Sequence, residues 1–272
     1  MKILFNILKY KRNTINVCIN KLSLKILRKG FYSNKEQFSN NKFIKSIKNK
    51  QYKNQTSIIA EIKRCSPSKG IITETKNIEK LALNYFLNGA VCISILTEKN
   101  FFKGSKKYIL TVKKLFDIPI LFKDFIIDEY QVFEARLLCT DCILLIVSIL
   151  KLDLLKKLYN LALSIGLDVL LEIHNLLELE VALFSLNAKF IGINNRNLYT
   201  FNTSINITIS LLKYMPSNVV FVTESGILNV NDFIKLQMFG VNVFLIGEFL
   251  LSNNDIFLRT LLDKANKYIL TY

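Results

Sequence analysis

From Ser57 onward the 272-residue sequence repeats one unit, a short apolar strand, a loop and an amphipathic helix. The repeat predicts an α/β protein: a single (β/α)8 TIM barrel with an N-terminal helical extension. Two further observations support that fold. The strands are almost wholly apolar rather than alternating, as parallel strands covered on both faces are. No Gly-x-Gly-x-x-Gly turn follows the first strand, which argues against an open dinucleotide-binding sheet.

Taken in order, the predicted strands are Ser57–Ile62, Val91–Leu96, Ile118–Lys123, Cys142–Val147, Asp168–Ile173, Phe190–Asn194, Val219–Glu224 and Val243–Gly247. Helical patterns lie near Ile78–Leu87, Lys106–Leu115, Glu129–Leu138, Leu152–Ser164, Leu176–Phe184, Ser204–Tyr214, Asn231–Met238 and Asp255–Tyr268. Before the first strand, Leu4, Ile7, Leu8, Ile15, Ile19, Leu22 and Ile26 fall near a helical stripe. A second short helix is expected around Phe43, Ile44 and Ile47. The expected division is a basic helical leader over residues 1–56 and a catalytic barrel over residues 57–272.

A net charge of +16 suggests nucleic acid until the charge is localised. Residues 1–56 hold 14 of the 37 Lys and Arg and one of the 21 acidic residues, so the excess belongs to the leader and the remainder is nearly balanced. With no aromatic-rich basic motif, neither nucleic acid nor a membrane surface is an expected partner. The most apolar run, Cys142 to Leu150, is bracketed by Asp141 and Lys151 and is too short to span a bilayer. Cys18, Cys65, Cys92, Cys139 and Cys142 lack metal-ligand spacing, so reduced, mostly buried thiols and no metal are expected. An organelle transit peptide remains the alternative reading of the leader, although it is poor in Ser and holds only Arg12 and Arg28 as arginines.

Charges gather where strands end. Glu61 and Lys63 sit two apart on the first strand and so point the same way. Such a pair is either a satisfied ion pair or part of a polar site, because unpaired buried charge is costly. Lys123-Asp124, Glu172-Ile173-His174, Asn194-Asn195-Arg196, Glu224-Ser225-Gly226 and Gly247-Glu248 close five more strands. Six strand ends of eight carrying polar groups point to a barrel mouth with a site. Lys123, Glu172, Glu61, Lys63 and Glu224 would face one another there, able to hold both acid and base forms. Asn194 and Arg196 add an amide and a planar fork suited to a carboxylate. Ser225, Gly226, Gly247 and Glu248, after the last two strands, are the expected phosphate-binding residues. His174, the one histidine, is expected to point away from the barrel interior and to serve structurally or behind Glu172.

These residues fall in recognisable phrases. They are Ile59-Ala60-Glu61-Ile62-Lys63-Arg64-Cys65-Ser66-Pro67-Ser68, Leu96-Thr97-Glu98 with Phe102-x-Gly104-Ser105, and Phe122-Lys123-Asp124-Phe125-Ile126. Leu144-Leu145-Ile146-Val147, Leu171-Glu172-Ile173-His174 and Ile191-Gly192-Ile193-Asn194-Asn195-Arg196-Asn197-Leu198 follow. Glu224-Ser225-Gly226-Ile227 and Phe244-Leu245-Ile246-Gly247-Glu248 complete the set. Over Ser57 to Leu251 the sequence resembles the indole-3-glycerol-phosphate synthase family of tryptophan biosynthesis. It departs at Cys65, where Ala or Ser is usual, at Thr223, and at Glu248, where some relatives have Ser, so that a phosphate contact there would come from the backbone N–H.

The resemblance implies closure of 1-(2-carboxyphenylamino)-1-deoxyribulose 5-phosphate to indole-3-glycerol phosphate with release of carbon dioxide and water, without cofactor or metal. It implies Lys123 as general acid and Glu172 as the leading group in dehydration, with Lys63 a partner there and the division of protons between them open. Glu61, Asn194 and Glu224 would orient hydroxyls and stabilise the cationic intermediate. Ser66, Arg196 and Ser225 would bind substrate, and Lys63, helped by Arg196, would grip its carboxylate. The family has its own N-terminal helical leader, which the length of residues 1–56 suits. A monomer in the cytoplasm is expected, at most weakly associated with other enzymes of the pathway, and the length is expected to leave no room for a fused isomerase barrel. Another phosphate-binding barrel enzyme, such as phosphoribosylanthranilate isomerase, would need a different acid–base pair. A non-enzymatic role in binding RNA or membrane would rest on the leader alone.

Overall fold

The computed structural model describes residues 2–38, 40–73, 77–253 and 256–269. Eight parallel strands close into a barrel: β1 (Ser57–Ile62), β2 (Cys92–Leu96), β3 (Ile120–Lys123), β4 (Cys142–Ile146), β5 (Asp168–Ile173), β6 (Phe190–Asn194), β7 (Val220–Glu224) and β8 (Val243–Ile246). Each strand pairs with its neighbours in sequence, and β1 pairs with both β2 and β8 to complete the ring. Every strand lies within two residues of its predicted bounds.

The strands read as apolar throughout because both of their faces are buried. One face fills the barrel with Ile59, Cys92, Leu121, Cys142, Leu144, Leu170, Phe190, Val222 and Leu245. The other, including Ile58, Ala60, Ile62, Phe122, Leu171 and Ile173, packs beneath the surrounding helices. Alternation along a strand then fixes which polar residues look inward at its end. Glu61 follows Ile59, Lys123 follows Leu121, Glu172 follows Leu170 and Glu224 follows Val222.

The helices that return the chain are α4 (Ile78–Leu87), α5 (Lys107–Leu115), α6 (Glu129–Leu137), α7 (Leu152–Ser164), α8 (Leu176–Glu180), α9 (Asn206–Leu212), α10 (Val230–Met238), α11 (Glu248–Leu251) and α12 (Phe257–Ile269). Several open on a local cap, as where Asp128 accepts from Tyr130 N and Asn229 from Asp232 N. The predicted Leu176–Phe184 helix divides into α8 and a wider π-turn over Val181–Ser185. A small hairpin, Cys65–Ser66 with Gly70–Ile71, follows β1 and was not anticipated, since two-residue strands carry no periodicity.

The segment before β1 forms α1 (Lys2–Lys21), α2 (Leu24–Ser33) and α3 (Lys42–Gln51). The predicted stripe running to Ile26 is broken at Ser23, whose extended backbone (φ −66°, ψ 151°) ends one helix and starts the next. Helix α2 packs on α6, with Phe31 edge-on to Phe133 and Arg28 paired to Glu129. Helix α3 closes the barrel at the end where strands begin: Phe43 and Ile47 are fully buried among the interior residues, and Phe43 lies 5.9 Å from the Phe190 ring. Asn41 makes no side-chain cap, and Asp168 substitutes by accepting from Ile44 N at 3.0 Å. All five cysteines are free, but only Cys92 and Cys142 are buried; Cys139 is exposed, contrary to the expectation of mostly buried thiols. Among the described residues no helix is long and apolar enough to cross a membrane.

Candidate active site

At the opposite end, where strands finish, the inward polar residues form one connected cluster on the floor of a cavity. Its volume is about 1250 Å³ with the open mouth included. The Lys123 ammonium is the hub. It contacts the Glu224 carboxylate directly and stands 3.4 Å from Glu172. Glu61 is paired with Lys63 at 2.7 Å, the lysine lying one residue past the end of β1. Asn194 Nδ2 donates to Glu172 Oε1 at 3.0 Å. Glu61, Glu172 and Glu224 are all at least 95% buried, so their charges are held by these partners rather than by water.

Three carboxylates around two ammonium groups set the proton affinities. Burial opposes ionisation of Glu61, but Lys63 and then Lys123 outweigh it and hold the carboxyl below its usual range. Burial also opposes charge on Lys123; Glu224, Glu172 and Glu61 overcome it, so the ammonium form persists well above the ordinary lysine range. Glu172 is held down by Lys123, with His174 and Asn194 assisting against burial. Glu224 moves the other way. Its burial and the neighbouring Glu172 and Glu61 charges push the carboxyl up despite Lys123. The floor therefore holds carboxyls of opposed tendency around the Lys123 cation, with Lys63 beside Glu61, an arrangement suited to acid–base work.

Two glycines make the packing possible. A Cβ at Gly192 would lie 2.1 Å from Glu224 Oε1, and one at Gly247 would lie 2.9 Å from Glu61 Oε1. Around the rim, Ser66 and Ser68 hydroxyls are 3.3 Å apart, and Arg196 donates to Ser68 Oγ at 3.2 Å and to Phe201 O at 3.0 Å. Ser225 and Gly226 both take left-handed backbone (φ 62° and 79°), turning the chain sharply at the end of β7. Glu248 pairs with Lys69 of the β1 loop. The cavity thus gathers every predicted site residue: Glu61, Lys63, Ser66, Lys123, Glu172, Asn194, Arg196, Glu224, Ser225, Gly226, Gly247 and Glu248.

His174 departs from expectation. It has the strand parity of Glu172, and its Nε2 lies 3.4 Å from Glu172 Oε1 rather than pointing away. Other contributors had no assigned role in the sequence reading. Glu98, 1% exposed, accepts from the backbone N–H groups of Asn100, Phe101 and Phe102 and so shapes the loop that brings Phe102 to the cavity. Asn195 ties β6 to β7 and α9 through Thr223 and Thr208 beneath the floor. Ile3, Leu4 and Ile7 of α1 roof the mouth, and the buried Lys11–Asp124 pair at 2.6 Å fastens that helix beside Lys123. A lysine spaced from an apolar triplet along α1 was the available signal, but its partner lies more than a hundred residues away. Among the described residues no three His, Cys, Asp or Glu side chains are grouped to hold a metal ion.

The sequence profile described as "Indole-3-glycerol phosphate synthase" matches residues 4–261. The chain belongs to that family. It is 53% identical over 192 residues to an indole-3-glycerol phosphate synthase of Thermoanaerobacter pseudethanolicus, covering 71% of this chain and 73% of the relative. It is 42% identical over 213 residues to one from Bordetella pertussis, covering 78% of this chain and 81% of that relative. Membership makes the chain an enzyme, a decarboxylating lyase of (β/α)8 fold, as the strand-end phrases implied. The family match begins inside α1, so Leu4 and Ile7 of the roof fall within the shared region.

Proposed function

We propose that this enzyme closes 1-(2-carboxyphenylamino)-1-deoxyribulose 5-phosphate to indole-3-glycerol phosphate in tryptophan biosynthesis. The observation that carries the reading at the level of residues is Lys123, half-buried between the buried Glu172 and Glu224 carboxylates on the cavity floor. The ring carbon bearing the carboxylate attacks the substrate ketone, and the new oxyanion develops beside Lys123. An ammonium held charged by its flanking carboxylates stabilises that oxygen and gives it a proton as its basicity rises. Carbon dioxide then leaves, taking no electron pair with it, and the ring recovers its conjugation. Dehydration removes the hydroxyl as water. Glu172, held ionised, takes the proton released, and Lys63 is placed to supply one.

Glu61 fixes Lys63, which with Arg196 grips the substrate carboxylate. Asn194 and Glu224 orient hydroxyls and offset the positive charge of the intermediate. Ser66 and Ser225 bind substrate, and the N–H groups and hydroxyl at Ser225, Gly226, Gly247 and Glu248 receive the phosphate, with Lys69 balancing the Glu248 charge. The barrel of residues 57–272 supplies this chemistry and the segment 1–56 covers it. A cytoplasmic monomer is the matching setting. The inclusion of α1 in the family match favours a structural leader over a targeting peptide.

The experiment is a fluorescence assay for indole-3-glycerol phosphate, started with the carboxyphenylamino substrate. Turnover lost in Lys123→Ala and Glu172→Gln, with both proteins folded by circular dichroism, is the expected result. Lys123→Ala keeps its fold because Glu224, already pushed toward its neutral form, can take up a proton in place of the lost cation. An active Lys123→Ala protein would refute the role given to that residue.

A further inference from the structure

His174 is tied down more tightly than a surface turn residue needs to be. Glu178 Oε2 accepts from both His174 backbone N at 2.9 Å and ring Nδ1 at 3.0 Å. Glu178 is itself fixed by Asn175: Asn175 Nδ2 donates to its Oε1 at 2.8 Å, and Glu178 N donates to Asn175 Oδ1 at 3.0 Å. With Nδ1 committed to Glu178, the other nitrogen is turned into the barrel. Nε2 is buried, has no hydrogen-bond partner closer than ion-pair range, and stands 3.4 Å from Glu172 Oε1. That oxygen also receives Asn194, while Glu172 Oε2 faces Lys123. Glu172 is thus flanked by a donor set on each oxygen, and one member of it comes from outside the floor.

We propose that His174 is the positioning residue of Glu172, its ring clamped by Glu178 so that a protonated Nε2 orients the carboxylate and keeps it ionised for the dehydration step. This rests on the role given to Glu172 above. The charged groups facing Glu172 are Lys123 from β3, Glu61 from β1 with its partner Lys63, Glu224 from β7 and His174 itself; His174 faces Glu172 and Glu178. Of these only Lys123 and His174 favour the ionised form of Glu172 directly, and Glu61 and Glu224 oppose it. The ring suits the task. Burial works against its charge, but Glu172 and Glu178 outweigh burial and push the imidazole up to about 10, so it remains a cation through the neutral range. The inference separates two jobs on one strand end. Lys123 serves the reacting oxygen, and its proton is spent and regained; His174 never meets substrate and holds the base ready.

The test titrates the Glu172 carboxyl by carbon-13 NMR in full-length protein carrying side-chain-labelled glutamate, its resonance identified by loss in Glu172→Gln. His174→Gln retains an amide donor without charge; Glu178→Gln retains an acceptor for the backbone and ring N–H groups of His174 without the charge. The expected result is a Glu172 midpoint raised by at least one unit in His174→Gln and by less in Glu178→Gln. In the assay above, kcat should fall about tenfold in His174→Gln from loss of carboxylate orientation, with KM within twofold. A Glu172 midpoint unmoved in a folded His174→Gln protein overturns the inference, as does an unchanged kcat. If His174→Gln does not fold, Glu178→Gln decides by the same midpoint. A wild type without turnover overturns the proposed reaction, and the carboxyl titration then still decides what His174 does.

Discussion

Gly192→Ala tests whether the position of one carboxylate governs the rate. Gly192 lies on β6 with Glu224 of the next strand against its α-carbon. An added Cβ would sit 2.1 Å from Glu224 Oε1, 3.2 Å from Glu224 Cδ and 3.3 Å from Leu170 Cδ1. Ordinary contact begins near ~3.5 Å, so the carboxylate must withdraw by roughly 1 Å. The atom that yields is the end of a side chain rather than backbone. The cost to stability is therefore about 1 kcal/mol, the low end for overpacking, or about 2–4 °C in Tm. The cost to catalysis is larger. A displacement of that size is worth on the order of 100-fold in kcat, about 2.7 kcal/mol of barrier. Fluorescence turnover and thermal unfolding measure both. Adding Gly192→Ala to Glu224→Gln should cost little further rate, since both act at one carboxyl. A Gly192→Ala enzyme with wild-type kcat would show that Glu224 need not stand beside Lys123, and the arrangement argued for the floor would fall with it.

Two further outcomes follow from the ends of the barrel. Burial pushes Asp168 up to about 6, so the folded carboxyl holds a proton to higher pH than the unfolded chain does, and ionised Asp168 costs stability above that pH but not well below it. Asp168→Asn keeps an acceptor for Ile44 N and should be stabler than wild type by about 2 kcal/mol at pH 8, a gain that shrinks at pH 5; urea unfolding with equal gains at both would contradict this. Lys11→Met removes the cation from a buried pair and leaves Asp124 with Thr97 and Phe125 N as donors. A loss of about 3 kcal/mol, together with a severalfold rise in KM and earlier proteolysis within α1, is expected, and an unchanged KM would detach α1 from substrate binding.

The barrel was legible in the sequence because two-faced burial leaves an unmistakable trace, nearly continuous apolar strands ending in charge. The floor was legible for the same reason: parity along β1, β3, β5 and β7 carries Glu61, Lys123, Glu172 and Glu224 inward from Ile59, Leu121, Leu170 and Val222. That rule, carried two residues past Glu172, also turns His174 inward; stopping it at the last apolar residue of the strand produced the wrong orientation. The roof was not legible. Ile3, Leu4 and Ile7 look like any amphipathic stripe, and nothing local marks Lys11 for Asp124. The hairpin at Cys65–Ser66 and the break at Ser23 depend on backbone geometry that a two- or three-residue pattern does not encode.

Helix α1 carries more than a roof. Of its cations, Lys11 is spent on Asp124 and Lys9 and Arg12 stay exposed on the helix, while Arg196 stands on the rim of the cavity. A substrate bearing both phosphate and carboxylate approaches a mouth whose covering segment, residues 1–56, is strongly cationic. Such a field, reaching about 8 Å at physiological ionic strength, raises the frequency of productive encounters and leaves the later steps untouched. The charge excess that says nothing about nucleic acid thus has a use in drawing a doubly anionic substrate toward the barrel when that substrate is scarce.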